Sequence, residues 1–381
     1  MQRSTDRILT THTGSLPRPE WLADALARQD RGETQGVDES FAALVREAVI
    51  DVVRRQSEVG IDIVSDGETN KIGYATYVKD RLSGFDGVGS GIAIADLTDV
   101  PEFAAHALKG LDVAMPACTA TISYKGEEAV REDIGNLRAA TENVSVTDAF
   151  ISAASPGVIS IFLENQFYPD DDAYIEALAE GMRPEFEAVH EAGFLLQIDS
   201  PDLAMGRHVG HKVLDIADFR KRVALRVETI NHATRNIPSD RLRVHLCWGN
   251  YEGPHNHDVP LADIIDLIFG LHAEALLFEA ANPRHAHEWR IFDEVAVPED
   301  KLLIPGVIDT CTNYVEHPEL VAERIVRFAN IVGRNRVIAG TDCGFATFAN
   351  FLPVDPKIAW LKLASLSEGA ALASQKLWAG S

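Results

Sequence analysis

The chain has 381 residues, 46% of them hydrophobic, and 58 Asp and Glu outnumber 35 Lys and Arg to leave a net charge of −23. That balance argues against nucleic-acid binding, which needs clustered basic side chains to displace phosphate counterions. It fits a cytoplasmic protein kept in solution by its own charge. The four cysteines, Cys118, Cys247, Cys311 and Cys343, lack the spacing of a disulfide scaffold in a chain long enough to need no staples, so free or metal-bound thiols are expected. Residues 1–13 are short, polar and mixed in charge and do not read as a signal peptide. No apolar run reaches the roughly 18 residues of a membrane helix, and neither a repeat nor a low-complexity tract is visible. A homo-oligomer is compatible with the sequence.

From the N-terminus, Ile8-Leu-Thr-Thr-His12 reads as a first strand, closed by Gly14-Ser15-Leu-Pro17, because Pro17 and Pro19 stop a ladder. Residues 39–59 have helical spacing, with Phe41, Leu44, Val45, Val49 and Val52 on one face and Gly60 placed to cap the end. Ile61-Asp-Ile-Val64 predicts the next strand, which leads into Ser65-Asp-Gly-Glu-Thr69. Over about 82–149 the pattern is irregular. Gly84, Gly87, Gly89 and Gly91, with the run Cys118-Thr-Ala-Thr-Ile-Ser-Tyr124, suggest a hairpin-bearing insertion. Gly157-Val-Ile-Ser-Ile-Phe162 then reads as a strand before a helix over about 172–192. A strand at 194–199 precedes a helix at about 213–235, and a strand at 243–248 precedes one at about 261–271. Strands at 275–279, 302–309 and 336–342 are followed by helices near 286–295, at 318–332 and after Pro353.

The strand-like runs therefore begin near 8, 61, 158, 195, 243, 275, 303 and 337, eight in all. Most are continuous apolar runs, as parallel strands buried on both faces should be. Their alternation with helices predicts an α/β fold, a (β/α)8 TIM barrel forming a single domain over 1–381, with the insertion at about 82–149 after the second strand. A doubly wound open sheet is the alternative, but no Gly-rich phosphate fingerprint follows the first strand. Catalytic residues of a barrel sit at the C-terminal ends of its strands. Those ends carry His12 and Ser15, Asp66 and Glu68, Asp199, His245 and Cys247, Glu279, Asp309 and Cys311, and Asp342 and Cys343.

His245 and Cys247, two apart on a strand, share a face. With Glu279 and Cys343 at the ends of the sixth and eighth strands they form a donor set for zinc, and two thiolates suit zinc better than magnesium or calcium. Each residue alone has an ordinary explanation: a satisfied core histidine, a loop carboxylate, a packed thiol. The set points to a metal. His255-Asn-His257 and His285-Ala-His287 are read as exposed loop histidines ahead of a second metal site or acid–base groups. Trp248 and Tyr251 are read equally as pocket walls or core, and Cys118 as a structural thiol.

These residues resemble the metal motifs of the cobalamin-independent methionine synthase family: His245-x-Cys247, Glu279 after an apolar strand, and Thr341-Asp-Cys343-Gly-Phe. Thr10-Thr-His-Thr-Gly-Ser15-Leu-Pro, Asp66-Gly-Glu68, Gln197-Ile-Asp199-Ser-Pro and Pro305-Gly-Val-Ile-Asp309 are similar to its other signatures, in the same order. The resemblance spans nearly the whole chain but only the family's catalytic barrel. It implies zinc at the barrel mouth holding a thiol substrate as thiolate for attack on an alkyl donor, with methyltetrahydrofolate one candidate donor. It implies that Ser15, Glu68 and Asp199 hold the amino-acid part of homocysteine, that Phe162 stands near the folate-stacking position, and that Asp309 and Cys311 occupy a catalytic loop. Three departures accompany it. Phe162 replaces a Trp, Cys311 replaces a His that protonates the leaving group, and no basic residues for a polyglutamate tail are evident. Addition of a thiol to an epoxide, as in the epoxyalkane–coenzyme M transferases, is the sister activity to weigh. A non-catalytic zinc-binding partner in a methyl-transfer system is the reading from another class.

Overall fold

Eight parallel strands frame the molecule: β1 (Leu9–Thr10), β2 (Ile63–Ser65), β3 (Asp148–Ala154), β4 (Leu195–Asp199), β5 (Leu242–His245), β6 (Ala275–Phe278), β7 (Leu302–Ile308) and β8 (Ile338–Thr341). The computed structural model describes residues 1–33, 39–107, 111, 113–210 and 212–379. Each strand pairs with the next in order from β2 to β8, β8 pairs with β1, and a parallel bridge between Thr11 and Ile63 joins β1 to β2. The result is a (β/α)8 barrel.

Side-chain alternation decides what reaches the barrel interior. On β4, Leu196 and Ile198 face outward into the large cluster beneath the helices, while Leu195 joins an inner layer with Leu9, Ile63, Phe150, Leu277, Ile304 and Ile338. Each such fully buried aliphatic side chain contributes about 1.5–3 kcal/mol. Above that layer the same inward row turns polar: Gln197 and Asp199 follow Leu195, and Arg243 and His245 point in from β5. The Arg243 guanidinium lies 4.0 Å over the Phe150 ring and donates to Thr11 Oγ1 and the His12 carbonyl. Register places Asp199 opposite both Ala154 and His245, so the polar row climbs toward one rim.

The structure revises several local expectations. The segment 157–162 is not a strand. Pro156–Phe162 is a helix, capped by Ser155 Oγ accepting from Val158 N, with Pro156 in the first turn where its missing N–H costs nothing. The third strand lies upstream, at Asp148–Ala154. Within the expected insertion, Gly87–Val88 and Pro116–Ala117 pair antiparallel as the small hairpin. Residues at its C-terminal side belong to the barrel: helix Glu127–Thr141 packs against Glu39–Glu58 and Asp171–Glu191. The helix Glu39–Glu58 buries Val45, Ala48, Val49, Val52 and Val53, whereas Leu44 is exposed. The expected helices near 261–271 and 286–295 shrink to single α-turns at Ile265–Ile268 and Ile291–Glu294, each entered through a 3-10 turn. Among the described residues no helix is long and apolar enough to cross a membrane.

Candidate metal and substrate site

His245 ends β5, Cys247 follows two residues later on the same face, and Cys343 follows β8. One donor atom from each lies within 4.8 Å of the others, and the two Sγ atoms are 3.4 Å apart without a disulfide. All three side chains are buried. Gly249 N donates to Cys247 Sγ at 3.2 Å, a bond that favours the thiolate. Against it, the hydrogen bond with Cys343 and burial push the Cys247 thiol well above its ordinary range. Two buried thiols in contact beside an imidazole thus need a cation before they can ionise, and that donor chemistry fits zinc.

The fourth expected ligand stands apart. Glu279 lies outside the three-atom group, its Oε1 accepting from Trp248 N at 2.8 Å and its Oε2 from Asn282 Nδ2 at 2.5 Å. Its negative charge still raises the proton affinity of His245, Cys247 and Cys343. Asp342, buried beside it, accepts from the backbone N–H groups of Ala280, Ala281 and Asn282 at 2.8–2.9 Å, and so fixes the loop that carries Glu279.

The cavity over the thiols has a volume of about 460 Å³, and Ser15, Glu68, Phe162 and Asp199 line it together with His245, Cys247 and Cys343. Glu68 sits at φ +53°, in the left-handed region that a non-glycine residue enters only under local constraint. The turn is held by Asp66 Oδ1, which accepts from Glu68 N at 3.0 Å, and by Arg18, which donates to the Glu68 carbonyl. Glu68 Oε1 accepts from Ser152 Oγ at 2.7 Å, while Oε2 is buried with no partner among the described residues. Burial raises Glu68 to about 7, Lys71 pulls it back, and Asp199 adds to the rise. Asp199 Oδ1 accepts from Gln197 Nε2 at 2.7 Å and lies 3.3 Å from His245 Nδ1. One wall is aromatic: the rings of Tyr74, Phe162 and Phe348 pack with centroids 5.5–5.9 Å apart.

Asp309 and Cys311 do not line the cavity. Asp309 Oδ1 accepts from Cys311 N, and Cys311 Sγ contacts Asn250 Oδ1 at 3.2 Å. Thr310 Oγ1 donates to the same oxygen, and Asn250 Nδ2 donates to the Gly344 carbonyl at 2.7 Å. Asn250, which does line the cavity, is therefore the side chain through which the 309–311 loop reaches it. Sequence reasoning missed Asn250, Tyr74 and Phe348, which have no ligand-type signal of their own. His255 and His285, expected to be exposed, are buried at 8% and 3%, and only His287 of the four is exposed. Trp248 is core, stacked on His285 at 4.1 Å, whereas Tyr251 lines the cavity. A larger open groove of about 1440 Å³ lies beside helix Glu20–Asp30 and Trp360 and is lined by no thiol.

Comparison with known proteins places this geometry among relatives. The family described as the cobalamin-independent synthase catalytic domain matches residues 8–96 and 157–352. A methionine synthase of Thermococcus kodakarensis is 26% identical over 369 residues, 97% of this chain and 94% of that one. Another from Pyrococcus furiosus is 26% identical over 358 residues, covering 94% and 90%. Among solved structures, a B12-independent methionine synthase from Shewanella sp. W3-18-1 in complex with selenomethionine superposes with a TM-score of 0.75 at 19% identity, covering 98% and 99% of the two chains.

Proposed function

The chain belongs to the cobalamin-independent synthase catalytic-domain family, and from that premise we propose that it transfers a methyl group to the thiol of homocysteine or a close amino-thiol, giving a thioether of the methionine type. The observation that carries the proposal is the Cys247–Cys343 thiol pair beside His245, opening into the same cavity as the unpartnered Glu68 carboxylate oxygen.

In this reading His245, Cys247 and Cys343 would hold zinc, with Glu279 the candidate for the fourth donor. When bound, the metal supplies a Lewis-acid centre that keeps a substrate thiol ionised at neutral pH, where a free thiol with pKa near 8.5 is mostly protonated. The chain's own residues do the rest. Glu68 and Asp199 receive the ammonium group in a charge-assisted contact, and Ser15 takes the carboxylate end. Anchoring the amino acid at that end fixes where its sulfur lies and supplies the proximity term. Tyr74, Phe162 and Phe348 keep water from the donor's approach and offer ring faces to a planar donor. Asp309 and Cys311 act through Asn250 to shape the donor side. The setting is cytoplasmic, reducing enough to keep Cys247 and Cys343 unbridged.

The test is metal analysis with a coupled assay, offering homocysteine and other amino-thiols with methyltetrahydrofolate and with simpler methyl donors. Methylation without any added partner protein, at about one zinc per thiolate site, supports the proposal. Full activity of a metal-free preparation overturns it, and turnover with an epoxide in place of a methyl donor assigns the sister activity.

A further inference from the structure

A second group of potential donors sits beside the cavity, and the chemistry above does not use it. Asp96, His208 and Asp258 come from three separate parts of the chain, yet one donor atom from each lies within 4.8 Å of the others. His208 is fully buried, and neither of its ring nitrogens has a hydrogen-bond partner among the described residues. Its Nδ1 stands 3.7 Å from Asp258 Oδ1, too far for a hydrogen bond. Asp96 is 1% exposed. Its Oδ1 accepts from Asn256 N and His257 N, while its Oδ2 is buried without a partner. Buried polar atoms without a partner are costly, and an unpartnered His208 nitrogen and the unpartnered Asp96 Oδ2, gathered with Asp258, call for a shared occupant.

We propose that Asp96, His208 and Asp258 form a second metal site, for a divalent first-row cation bound by two carboxylates and one imidazole, distinct from the thiolate site. Donors around one ion at about 2.1 Å stand roughly 3–4 Å apart, so a small inward movement brings these three onto a common ion. The donor set is harder than a thiolate pair and suits zinc or manganese rather than a soft ion such as Cu(I). Burial drives His208 toward its neutral form, leaving a lone pair to donate. Outer partners of the kind that steady metal ligands are already in place: His255 Nδ1 and His285 Nε2 lie 3.1 and 3.0 Å from Asp258 Oδ2, and Glu288 holds the far nitrogen of His285. The two histidine pairs singled out by the sequence thus contribute His255 and His285 as supports for a ligand.

The site ties together three segments that roof the cavity. Ala95 N donates to the His208 carbonyl, Gly210 N donates to the Ala93 carbonyl, and Ile94 bridges Val209. Leu97 and Thr98, on the turn that carries Asp96, line the cavity, as does Tyr251 ahead of Asp258. An ion here fixes that roof without touching the reacting atoms.

The test uses the full chain with Cys247→Ala and Cys343→Ala together, so that the thiolate site is removed and its failure is read separately. Stripped of metal and titrated with Zn²⁺ or Mn²⁺ alone, this protein is expected to retain about one equivalent per chain. Adding His208→Ala, or separately Asp96→Asn, removes that equivalent, and hydrogen exchange over 93–98 and 255–258 slows on metal addition only while the site is intact. If the double-cysteine variant does not fold, the wild-type chain is titrated instead, and His208→Ala or Asp96→Asn lowers its stoichiometry from about two to about one. Circular dichroism certifies the fold of each variant. The proposal is overturned if no cation binds once the thiols are gone, or if binding persists unchanged in folded His208→Ala and Asp96→Asn proteins.

Discussion

Asp199 and His245 are register partners on adjacent parallel strands, and their side chains meet inside the barrel with Oδ1 3.3 Å from Nδ1. One carboxylate therefore touches both halves of the site: the imidazole assigned to the metal and the cavity assigned to the amino acid. A carboxylate on the far nitrogen of a metal-binding histidine fixes the ring and raises its basicity. Replacing Asp199 by Asn is expected to weaken zinc binding about 10–100-fold and to raise KM for the amino-thiol at saturating zinc. Competition with a zinc chelator measures the first effect and steady-state kinetics the second. A variant that changes KM alone limits Asp199 to substrate binding.

The thiols themselves are tested more directly. Cys247→Ser or Cys343→Ser leaves a hydroxyl that does not ionise in a buried site, so the zinc equivalent bound at the thiolate site is lost and activity goes with it. His245→Ala follows the same course. Glu279→Gln is the discriminating member of the series, because the carboxylate is held by Trp248 N and Asn282 outside the three-donor group. A loss of zinc comparable to the cysteine variants makes Glu279 a ligand. Zinc retained with altered thiol affinity makes it an electrostatic neighbour.

Much of this was legible in the sequence because the signals are periodic. A two-residue repeat set His245 and Cys247 on one face, and apolar runs located seven of the eight strands. The third was misread because Val158, Ile159 and Ile161 look like strand residues, while Ser155-Pro156, a helix-start signal, decides the local structure. Tertiary placement left no trace. Asp96, His208 and Asp258 are scattered along the chain, and nothing in their spacing brings them together. His255 was read as exposed because loop histidines usually are, yet its φ of +51° folds the loop back so that its ring stacks on Tyr251. Glu279 was legible as a strand-end carboxylate, but where its oxygens point depends on Asn282 and Asp342.

Glu68 carries a pH dependence whose sign follows from its environment. Burial, with Asp199 adding to it against the pull of Lys71, raises it to about 7 from the ordinary 4.5 of a glutamate. A carboxyl with a raised folded-state pKa contributes stability that is fully present below about 4.5 and is lost as pH rises through about 7. Chemical denaturation from pH 4.5 to 8 is expected to show that decline in wild type and a flatter profile in Glu68→Gln. Binding runs the other way. Below pH 7 the protonated carboxyl offers no charge to an ammonium, so KM for the amino-thiol rises as pH falls, and Glu68→Gln removes this dependence. An unchanged KM profile in the variant excludes Glu68 from the ammonium contact.

The loop at Asp309 separates a residue that resembles a catalytic position from one that touches the cavity. Cys311 Sγ is turned to Asn250 Oδ1, and the thiol is pushed well above its ordinary range by burial. Cys311→Ser keeps a donor for that oxygen, and kcat/KM is expected to stay within about twofold of wild type. Asn250→Ala removes the group that links Thr310 and Cys311 to the Gly344 carbonyl, with a loss of ~10-fold for a hydrogen bond of about 1.4 kcal/mol. The reverse order, a large effect from Cys311→Ser and none from Asn250→Ala, would assign the thiol a direct role.

Gly344 follows Cys343 and approaches Ser15 more closely than any side chain allows. A Cβ there would lie 2.0 Å from Ser15 Oγ and 3.1 Å from Ser15 N, both well inside contact distance. Ser15 cannot retreat freely, because Phe345 N donates to its carbonyl at 2.8 Å. Gly344→Ala therefore forces either the Ser15 hydroxyl out of the cavity or the Cys343 backbone away from Cys247. Overpacking of this kind costs about 1–3 kcal/mol of stability, visible as a lowered denaturation midpoint. The functional readout divides the two routes. If Ser15 moves, zinc stays bound and KM for the amino-thiol rises, as it also does in Ser15→Ala. If Cys343 moves, zinc affinity falls while Ser15→Ala leaves it untouched. A Gly344→Ala protein with wild-type stability, zinc affinity and KM would mean that the close packing of these two loops is not what positions Cys343 against the substrate cavity.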